Sequence, residues 1–425
     1  MTPSEALEYI HSRPKFSEKP GLHRISALLE LLGKPQDRLK FVHVAGTNGK
    51  GSTVAMSANV LRASGYRVGM FISPFVLDFR ERIQVDGEMI PLLELARLTE
   101  KISRAAVVLE RNGMNPNEFE VVTAIGMLYF DEQHCDIVCL EVGLGGTYDA
   151  TNVIAPPLAA VITAVSLDHT QILGSTVRQI AQEKAGIIKR GSTVVCYPEQ
   201  DTEALGVLYE RCAEEQCRLI LPNMRAVELL ESGLQGSYFQ YRGMKYRLSF
   251  VGYHQVCNAL MVIEVVALLR QSGFHISEEA LKTGLETARF PARFEVVSEH
   301  PLTVVDGAHN EGGAKALSRT LRENISGRKM VAVIGMLKEK SHDVLLSEIG
   351  PLCAKIIAVP VGSPRALPPE LLAETAVRYC PDVSVNYDYP SALEAAAKTA
   401  GREGIILVCG SLFLAADMRK ILLKS

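Results

Sequence analysis

The sequence of 425 residues lacks the features of a membrane or secreted protein. No apolar run reaches about 18 residues, the length that a transmembrane helix needs. Residues 1–8 contain no basic stretch that leads into an apolar core, so they do not have the pattern of a secretion signal. We therefore expect a cytoplasmic protein without a membrane-spanning helix.

The chain also lacks an excess of charge and a paired-cysteine motif. Its formal net charge is −3, which provides no basic field for nucleic acid or an anionic membrane. The nine cysteines include no Cys-x-x-Cys, so we expect buried, reduced thiols rather than disulfides or a zinc site. The expected partners are small-molecule substrates, and we expect a monomer.

Apolar segments alternate with segments of helical spacing along most of the chain, which predicts an α/β fold. The chain is too long for one hydrophobic core, so two domains are expected. The alternation predicts a mostly parallel sheet covered on both faces in the first half. It pauses near residues 290–295 and then restarts, which places the domain boundary after residue 290. The predicted strands lie at 41–45, 66–72, 136–142, 159–164 and 192–196, then at 303–305, 330–334, 355–360, 383–386 and 404–408, with a β-hairpin at 236–251.

A glycine-rich turn at residues 46–52 (Gly-Thr-Asn-Gly-Lys-Gly-Ser) follows the first strand and precedes a helical segment at 53–63. A strand, a glycine-rich turn and a helix start are the layout of a phosphate site, in which backbone N–H groups, the helix dipole and a lysine meet the anion. The usual P-loop pattern would place a glycine at Val44 and a hydroxyl residue at Gly51. A plain strand–turn–helix connection is therefore the alternative interpretation.

Polar residues follow several other predicted strands. Ser73, Glu141 and the pair Asp168-His169 each come just after an apolar run. Ligands gather beyond the carboxyl ends of parallel strands, so these positions indicate a Mg²⁺ site, although histidine is an uncommon magnesium ligand. In the second half, Asp306 and His309 follow a strand in the same way. Each residue alone is more often a cap or a turn former.

As a set, these blocks resemble the folylpolyglutamate synthase/dihydrofolate synthase family, within the ATP-dependent Mur ligases. The resemblance covers about residues 20–415 in family order, and it departs from the family pattern at Thr147-Tyr148, Ala292 and Glu311-Gly312. The blocks that carry it are the turn at 46–52, 73–75 with 81–83, 140–146 with 149–152, 168–170 with 173–174, 183–188, 254–255 with 258–259, 293–295, 306–310 and 410–412.

The resemblance implies roles for individual residues. It implies an ATP-binding P-loop domain of the Mur-ligase type at 1–290 and a smaller Rossmann-like α/β domain at 291–425. The nucleotide contacts would be Gly46, Thr47, Asn48, Gly49, Lys50, Gly51 and Ser52, with Asn258 at the base, Arg293 at the phosphates, and Asp306 and His309 towards the ribose and phosphates. The metal would be held by Ser73, Glu141, His169 and Lys184, the last of these carbamylated and serving a second ion. An ordinary surface role for Lys184 is the alternative. Lys50, His169, Lys184 and Arg293 would be the catalytic residues.

The implied reaction is an ATP-dependent addition of L-glutamate to a folate through an acyl phosphate. Two readings remain open beside it: a different Mur-type amino-acid ligase, and a nucleotide-binding module without catalysis. Within the family, addition of the first glutamate to dihydropteroate and extension of tetrahydrofolate are not separable by sequence. A loop near residues 15–22 is a weak candidate for a pterin pocket.

Overall fold

The computed structural model describes residues 1–15, 20–325 and 327–423. The candidate pterin loop therefore lies partly outside the described residues, at 16–19. The chain forms two compact units, one of residues 1–165, 169–226 and 257–288, the other of residues 166–168, 227–256 and 289–425. The sequence did not predict that residues 227–256 belong to the second unit. The predicted boundary after residue 290 stays a prediction.

The first unit contains an eight-stranded sheet. Its strands are β1 (Phe41–Ala45), β2 (Val68–Phe71), β3 (Ile83–Val85), β4 (Glu88–Met89), β5 (Ile137–Glu141), β6 (Ala159–Ile162), β7 (Thr193–Cys196) and β8 (Arg218–Ile220). The spatial order is β4-β3-β2-β5-β1-β6-β7-β8. Strands β2, β5, β1, β6, β7 and β8 are parallel, whereas β3 and β4 add an antiparallel edge. The predicted mostly parallel sheet is confirmed.

Helices cover both faces of this sheet, which explains why every residue of β1, β5 and β6 is buried. The helices of this unit are α1 (Pro3–Ser12), α2 (His23–Leu31), α3 (Lys50–Ala63), α4 (Leu92–Glu110), α5 (Glu118–Glu132), α6 (Thr170–Leu173), α7 (Val177–Ala185), α8 (Thr202–Glu214) and α10 (Glu278–Thr287). Helix α9 (Tyr253–Gln271) begins in the second unit and continues in the first from residue 257. Helix α5 begins with a capping box in which Asn117 and Glu120 bond reciprocally. Short 3₁₀ turns occur at Pro35–Arg38, Phe79–Arg82 and Ala150–Val153.

The second unit contains two sheets. An antiparallel sheet in the order β11-β10-β9 is formed by β9 (Val227–Gly233), β10 (Gly236–Tyr241) and β11 (Met244–Leu248). A six-stranded sheet in the order β12-β13-β17-β14-β15-β16 is formed by β12 (Glu295–Glu299), β13 (Leu302–Val305), β14 (Met330–Ile334), β15 (Lys355–Ala358), β16 (Val383–Val385) and β17 (Ile405–Cys409). Only β12 is antiparallel in the larger sheet. The predicted second, smaller α/β domain is confirmed.

The helices of this unit are α11 (Glu311–Ile325), α12 (His342–Ile349), α13 (Pro369–Ala376), α14 (Tyr389–Ala400) and α15 (Leu412–Leu422), with 3₁₀ turns at Gly350–Leu352 and, in the first unit, Met224–Ala226. Within the described ranges, no helix is long and apolar enough to cross a membrane. All nine cysteines are free thiols, and eight of them are buried.

Candidate active site

The glycine-rich turn leaves β1 and enters α3. The backbone N–H groups of Thr47 and Asn48 donate to the carbonyl oxygen of Ala164 at 2.8 and 3.2 Å, which ties the turn to the end of β6. A Cβ at Gly46 would lie 1.8 Å from Thr163 Oγ1, and one at Gly49 would lie 2.7 Å from Asn258 Oδ1. Both glycines have positive φ, +151° and +93°. A side chain at either position would therefore clash and strain the turn.

Helix α3 begins at Lys50, three residues earlier than the predicted start at residue 53. The left-handed conformation of Gly49 directs the chain into the helix at once, and Gly49 contributes no side-chain cap. The partial positive charge of this helix start favours an anion. Lys50 Nζ donates to the carbonyl oxygens of Gly46 and Thr47 at 3.2 and 3.3 Å, so its ammonium lies over the turn.

Glu141 and Ser73 meet at the ends of two neighbouring parallel strands. Strand β2 pairs with β5, and the backbone N–H of Ser73 donates to Glu141 Oε2 at 3.1 Å. The side chain of Glu141 is buried. Because β5 also pairs with β1, the carboxylate stands at the strand next to the glycine-rich turn. The predicted proximity of Ser73 and Glu141 is observed.

Lys184 reaches the same turn from the end of α7. Its buried Nζ donates to the carbonyl oxygen of Gly46 at 2.8 Å. The end of α7 is held by Thr147, whose N–H and hydroxyl both donate to the carbonyl oxygen of Glu183, at 2.9 and 3.1 Å. An ordinary surface position for Lys184 is therefore wrong, since only 4% of the residue is exposed.

His169 lies at the end of the loop after β6. It is exposed, adopts a left-handed conformation with φ of 50°, and precedes α6. In the part of the chain that the structure describes, no three His, Cys, Asp or Glu side chains are grouped so that they could hold a metal. A cation at the end of β5 would therefore need further ligands, such as hydroxyl or phosphate oxygens, besides one or two side chains of these types.

Asp306, His309 and Arg293 form a second group, within the second unit. Asp306 accepts the N–H groups of Phe294 and Ala308 at 2.7 Å each, and burial raises the pKa of its carboxyl. His309 Nδ1–H donates to the carbonyl oxygen of Gly307 at 2.8 Å, which leaves Nε2 unprotonated in the neutral ring. The Arg293 guanidinium rests close to Gly307, where a Cβ would lie 2.7 Å from NH1.

Sequence reasoning missed a polar network around Asp168. In the second unit, Lys340 Nζ donates to Asp168 Oδ1 at 2.6 Å and Asn310 Nδ2 donates to Oδ2 at 2.8 Å. Asp168 and Lys340 side chains are each only 10% exposed. Because Asp168 follows a predicted strand, the sequence indicates that it lies at the ligand-binding edge of the sheet. Its lysine partner, however, lies 172 residues away in sequence. No local pattern predicts such a pairing.

Comparison with known proteins agrees with this geometry. The Mur ligase middle domain matches residues 44–266, and the Mur ligase glutamate ligase domain matches residues 292–412. The chain is 36% identical over 426 residues to the dihydrofolate synthase/folylpolyglutamate synthase of Bacillus subtilis, covering 98% of each chain. It is similar to the folylpolyglutamate synthase of Mycobacterium tuberculosis solved with ADP and AMPPCP, with a TM-score of 0.90, 30% identity, and coverage of 99% of this chain and 98% of the other. It is also similar to Escherichia coli FolC solved with DHPP and ADP, with a TM-score of 0.87, 29% identity, and the same coverages.

Proposed function

Because the chain belongs to the folylpolyglutamate synthase/dihydrofolate synthase family of the Mur ligases, we propose that it adds L-glutamate to folates in an ATP-dependent ligase reaction. The observation that carries this proposal is the turn at 46–52. Gly46 and Gly49, where a side chain would clash, form a phosphate site together with the start of α3 and the Lys50 ammonium. This site lies beside the buried carboxylate of Glu141. The acid substrate is a folate or dihydropteroate.

In this proposal the residues of the turn, from Gly46 to Ser52, hold the phosphates of ATP. Lys50 and Arg293 offset the negative charge on the phosphoryl group that is transferred. Asn258, whose amide lies against Gly49, contacts the base, while Asp306 and His309 serve the ribose and phosphates. Nε2 of His309, which lies 3.8 Å from Asp168 Oδ2, would contact a ribose hydroxyl.

The donor set at the end of β5 fits magnesium. Mg²⁺ is usually bound by one or two carboxylates together with substrate phosphates and water, and Glu141 with Ser73 and His169 provides one carboxylate, a hydroxyl and an imidazole. When bound, the ion neutralises phosphate charge in the transition state. Carbamylation of Lys184 would turn its buried cation into a carboxylate-like ligand for a second ion, held at the turn by its contact with Gly46.

The reaction proceeds in two steps. A carboxylate oxygen of the acid substrate attacks the γ-phosphorus of ATP, the bond to the β-phosphate oxygen breaks, and ADP and an acyl phosphate form. The amino group of L-glutamate then attacks the acyl carbon, phosphate leaves with the carboxylate oxygen, and the amine loses its proton. The protein mainly brings two anions together and offsets their repulsion.

A phosphate-release assay with and without L-glutamate tests this proposal. Lys50→Ala should abolish turnover with dihydropteroate or tetrahydrofolate, whereas Lys101→Ala, on an exposed helix face with only a 3.4 Å contact to Glu132, should leave it unchanged. Near-normal activity of Lys50→Ala would contradict the phosphate site. Phosphate release that ignores L-glutamate would contradict the ligase, and ATP binding without turnover would support the non-catalytic alternative.

The same assay separates the two family activities. Parallel measurements with dihydropteroate and with tetrahydrofolate decide whether one or both acids are substrates.

We also propose that the enzyme acts in the cytoplasm, which its nine free cysteines support. We propose further that it is a monomer, for which light scattering should give a mass of 46.4 kDa.

A further inference from the structure

We propose that Arg82 binds the carboxylate of the acid substrate, and this inference rests on the proposed function. Arg82 ends the 3₁₀ turn that precedes β3. It has no assigned role in the nucleotide site. Its guanidinium donates from NH1 to Ser73 Oγ at 3.2 Å, and its buried Nε has no hydrogen-bond partner among the described residues.

Hydrogen bonds hold the backbone around Arg82. The N–H of Ile72 donates to the carbonyl oxygen of Arg82 at 3.1 Å, so the end of β2 and the start of β3 are joined at this residue. The carboxylate of Glu81 accepts three backbone N–H groups, from Val76, Leu77 and Asp78, at 2.8 to 2.9 Å. The segment that carries Arg82 is therefore held by hydrogen bonds, and the contacts of the guanidinium with Ser73, Phe75 and Phe79 reduce the conformational entropy that would be lost when it meets a ligand.

The charge of Arg82 is incompletely compensated. Its neighbour Arg80 forms a bidentate pair with Asp78 at 3.1 and 2.8 Å. In contrast, Arg82 donates to a neutral serine hydroxyl and lies near two aromatic rings, with its central carbon 5.4 Å from the Phe75 centroid and 5.7 Å from that of Phe79. The carboxylates of Glu118 and Glu141 act on it only as nearby charges, without a hydrogen bond to it. Cation–π contacts occupy the flat faces of a guanidinium and leave its edge for a planar anion. A carboxylate is such an anion.

The sheet order indicates which anion this is. The glycine-rich turn follows β1, Glu141 ends β5, Ser73 follows β2, and β5 lies between β1 and β2. Neighbouring strands lie about 4.8 Å apart, so the ends of β1 and β2 are separated by roughly 10 Å. Arg82 thus lies across Glu141 from the phosphate turn. An acid held here would lie beside Glu141 and next to the phosphates held in the turn, in a position to attack the γ-phosphate.

Equilibrium binding tests this role separately from turnover. The probes are pteroate and its carboxamide, which has the same rings but no carboxylate, and titration calorimetry gives their affinities for the wild type and for Arg82→Gln. Losing a charge-assisted hydrogen bond should weaken pteroate binding by about 10- to 100-fold. Carboxamide binding should be the same in both proteins. Arg82→Lys keeps the positive charge but lacks the paired N–H donors of the guanidinium, so it should recover part of the affinity for pteroate.

Arg80→Gln is the matched control, because it removes a guanidinium from the same 3₁₀ turn that is already paired. It should bind pteroate like the wild type. Unchanged pteroate affinity in Arg82→Gln would overturn the inference. An equal loss for pteroate and carboxamide would also overturn it, since Arg82 would then only shape the segment around Ser73.

A rise confined to the KM for L-glutamate would assign Arg82 to the amine substrate and overturn the inference as well. These outcomes differ from a failure of the proposed function. In that case the wild type itself would show no glutamate-dependent phosphate release.

Discussion

His43, in the middle of β1, should make the stability of the enzyme depend on pH. Its ring is fully buried. The hydroxyl of Thr151 donates its hydrogen to Asp149 Oδ1. The hydroxyl oxygen of Thr151 can therefore only accept from the ring of His43, whose Nε2 lies 2.9 Å away. This fixes the proton on Nε2. The other ring nitrogen, Nδ1, has no partner within the described ranges.

A second proton would therefore be buried on Nδ1 without an acceptor and near the Lys189 ammonium. Burial, and secondarily the Lys189 charge, lowers the pKa of His43 from 6.5 to about 3. The unfolded chain then binds the proton more readily than the folded protein as the pH falls. The stabilising contribution of the neutral ring is complete above pH 6.5 and is lost as the pH falls towards 3. Between pH 7 and pH 5 this loss is about 2 kcal/mol of unfolding free energy.

His43→Gln tests this reasoning, because glutamine retains an N–H for Thr151 but does not titrate. Urea unfolding followed by circular dichroism gives the free energy of unfolding at pH 7 and pH 5. The wild type should lose about 2 kcal/mol more than the variant over this interval. His275→Gln, at an exposed histidine, should behave like the wild type. Equal losses in the wild type and His43→Gln would refute the buried, unpaired Nδ1.

Two further predictions concern the turn. Gly46→Ala places a Cβ 1.8 Å from Thr163 Oγ1 at a φ of +151°, so kcat/KM for ATP should fall by about 100-fold or more. Gly206→Ala, within α8 and with no atom near its added Cβ, should have normal kinetics, and normal kinetics of Gly46→Ala would contradict the steric argument. For Lys184, incubation with 13C-labelled bicarbonate should give a carbamate carbon signal by NMR that is absent from Lys184→Met. A wild-type spectrum without that signal would leave Lys184 as an ammonium that only supports Gly46.

The parts of the fold that the sequence predicts are those with a strong local pattern. The bounds of β1 and β14 are reproduced because short, mostly apolar runs that end at a glycine indicate buried strands. Strand β9 was missed because Val227–Gly233 carries exposed glutamates and a leucine without regular alternation. Strand β12 was missed because its Glu-Val-Val-Ser-Glu sequence, at the sheet edge, shows no apolar run.

In the candidate site, too, the sequence predicts the features that depend on local pattern and misses those that depend on packing. The end-of-strand rule brings Ser73 and Glu141 together because β2 and β5 are parallel neighbours. The contact of Lys184 with Gly46 spans 138 residues, and only the packing of α7 brings it about. The role inferred for Arg82 depends on a missing ion pair, which is a property of the folded surroundings and not of the sequence around it.

The acyl phosphate is the central claim, and oxygen transfer tests it most directly. Dihydropteroate or tetrahydrofolate labelled with 18O in the reacting carboxylate is incubated with ATP and L-glutamate, and the released phosphate is analysed by mass spectrometry. Since phosphate leaves with the carboxylate oxygen, label should pass from the acid to phosphate in step with amide formation. Amide formation with unlabelled phosphate would contradict the account.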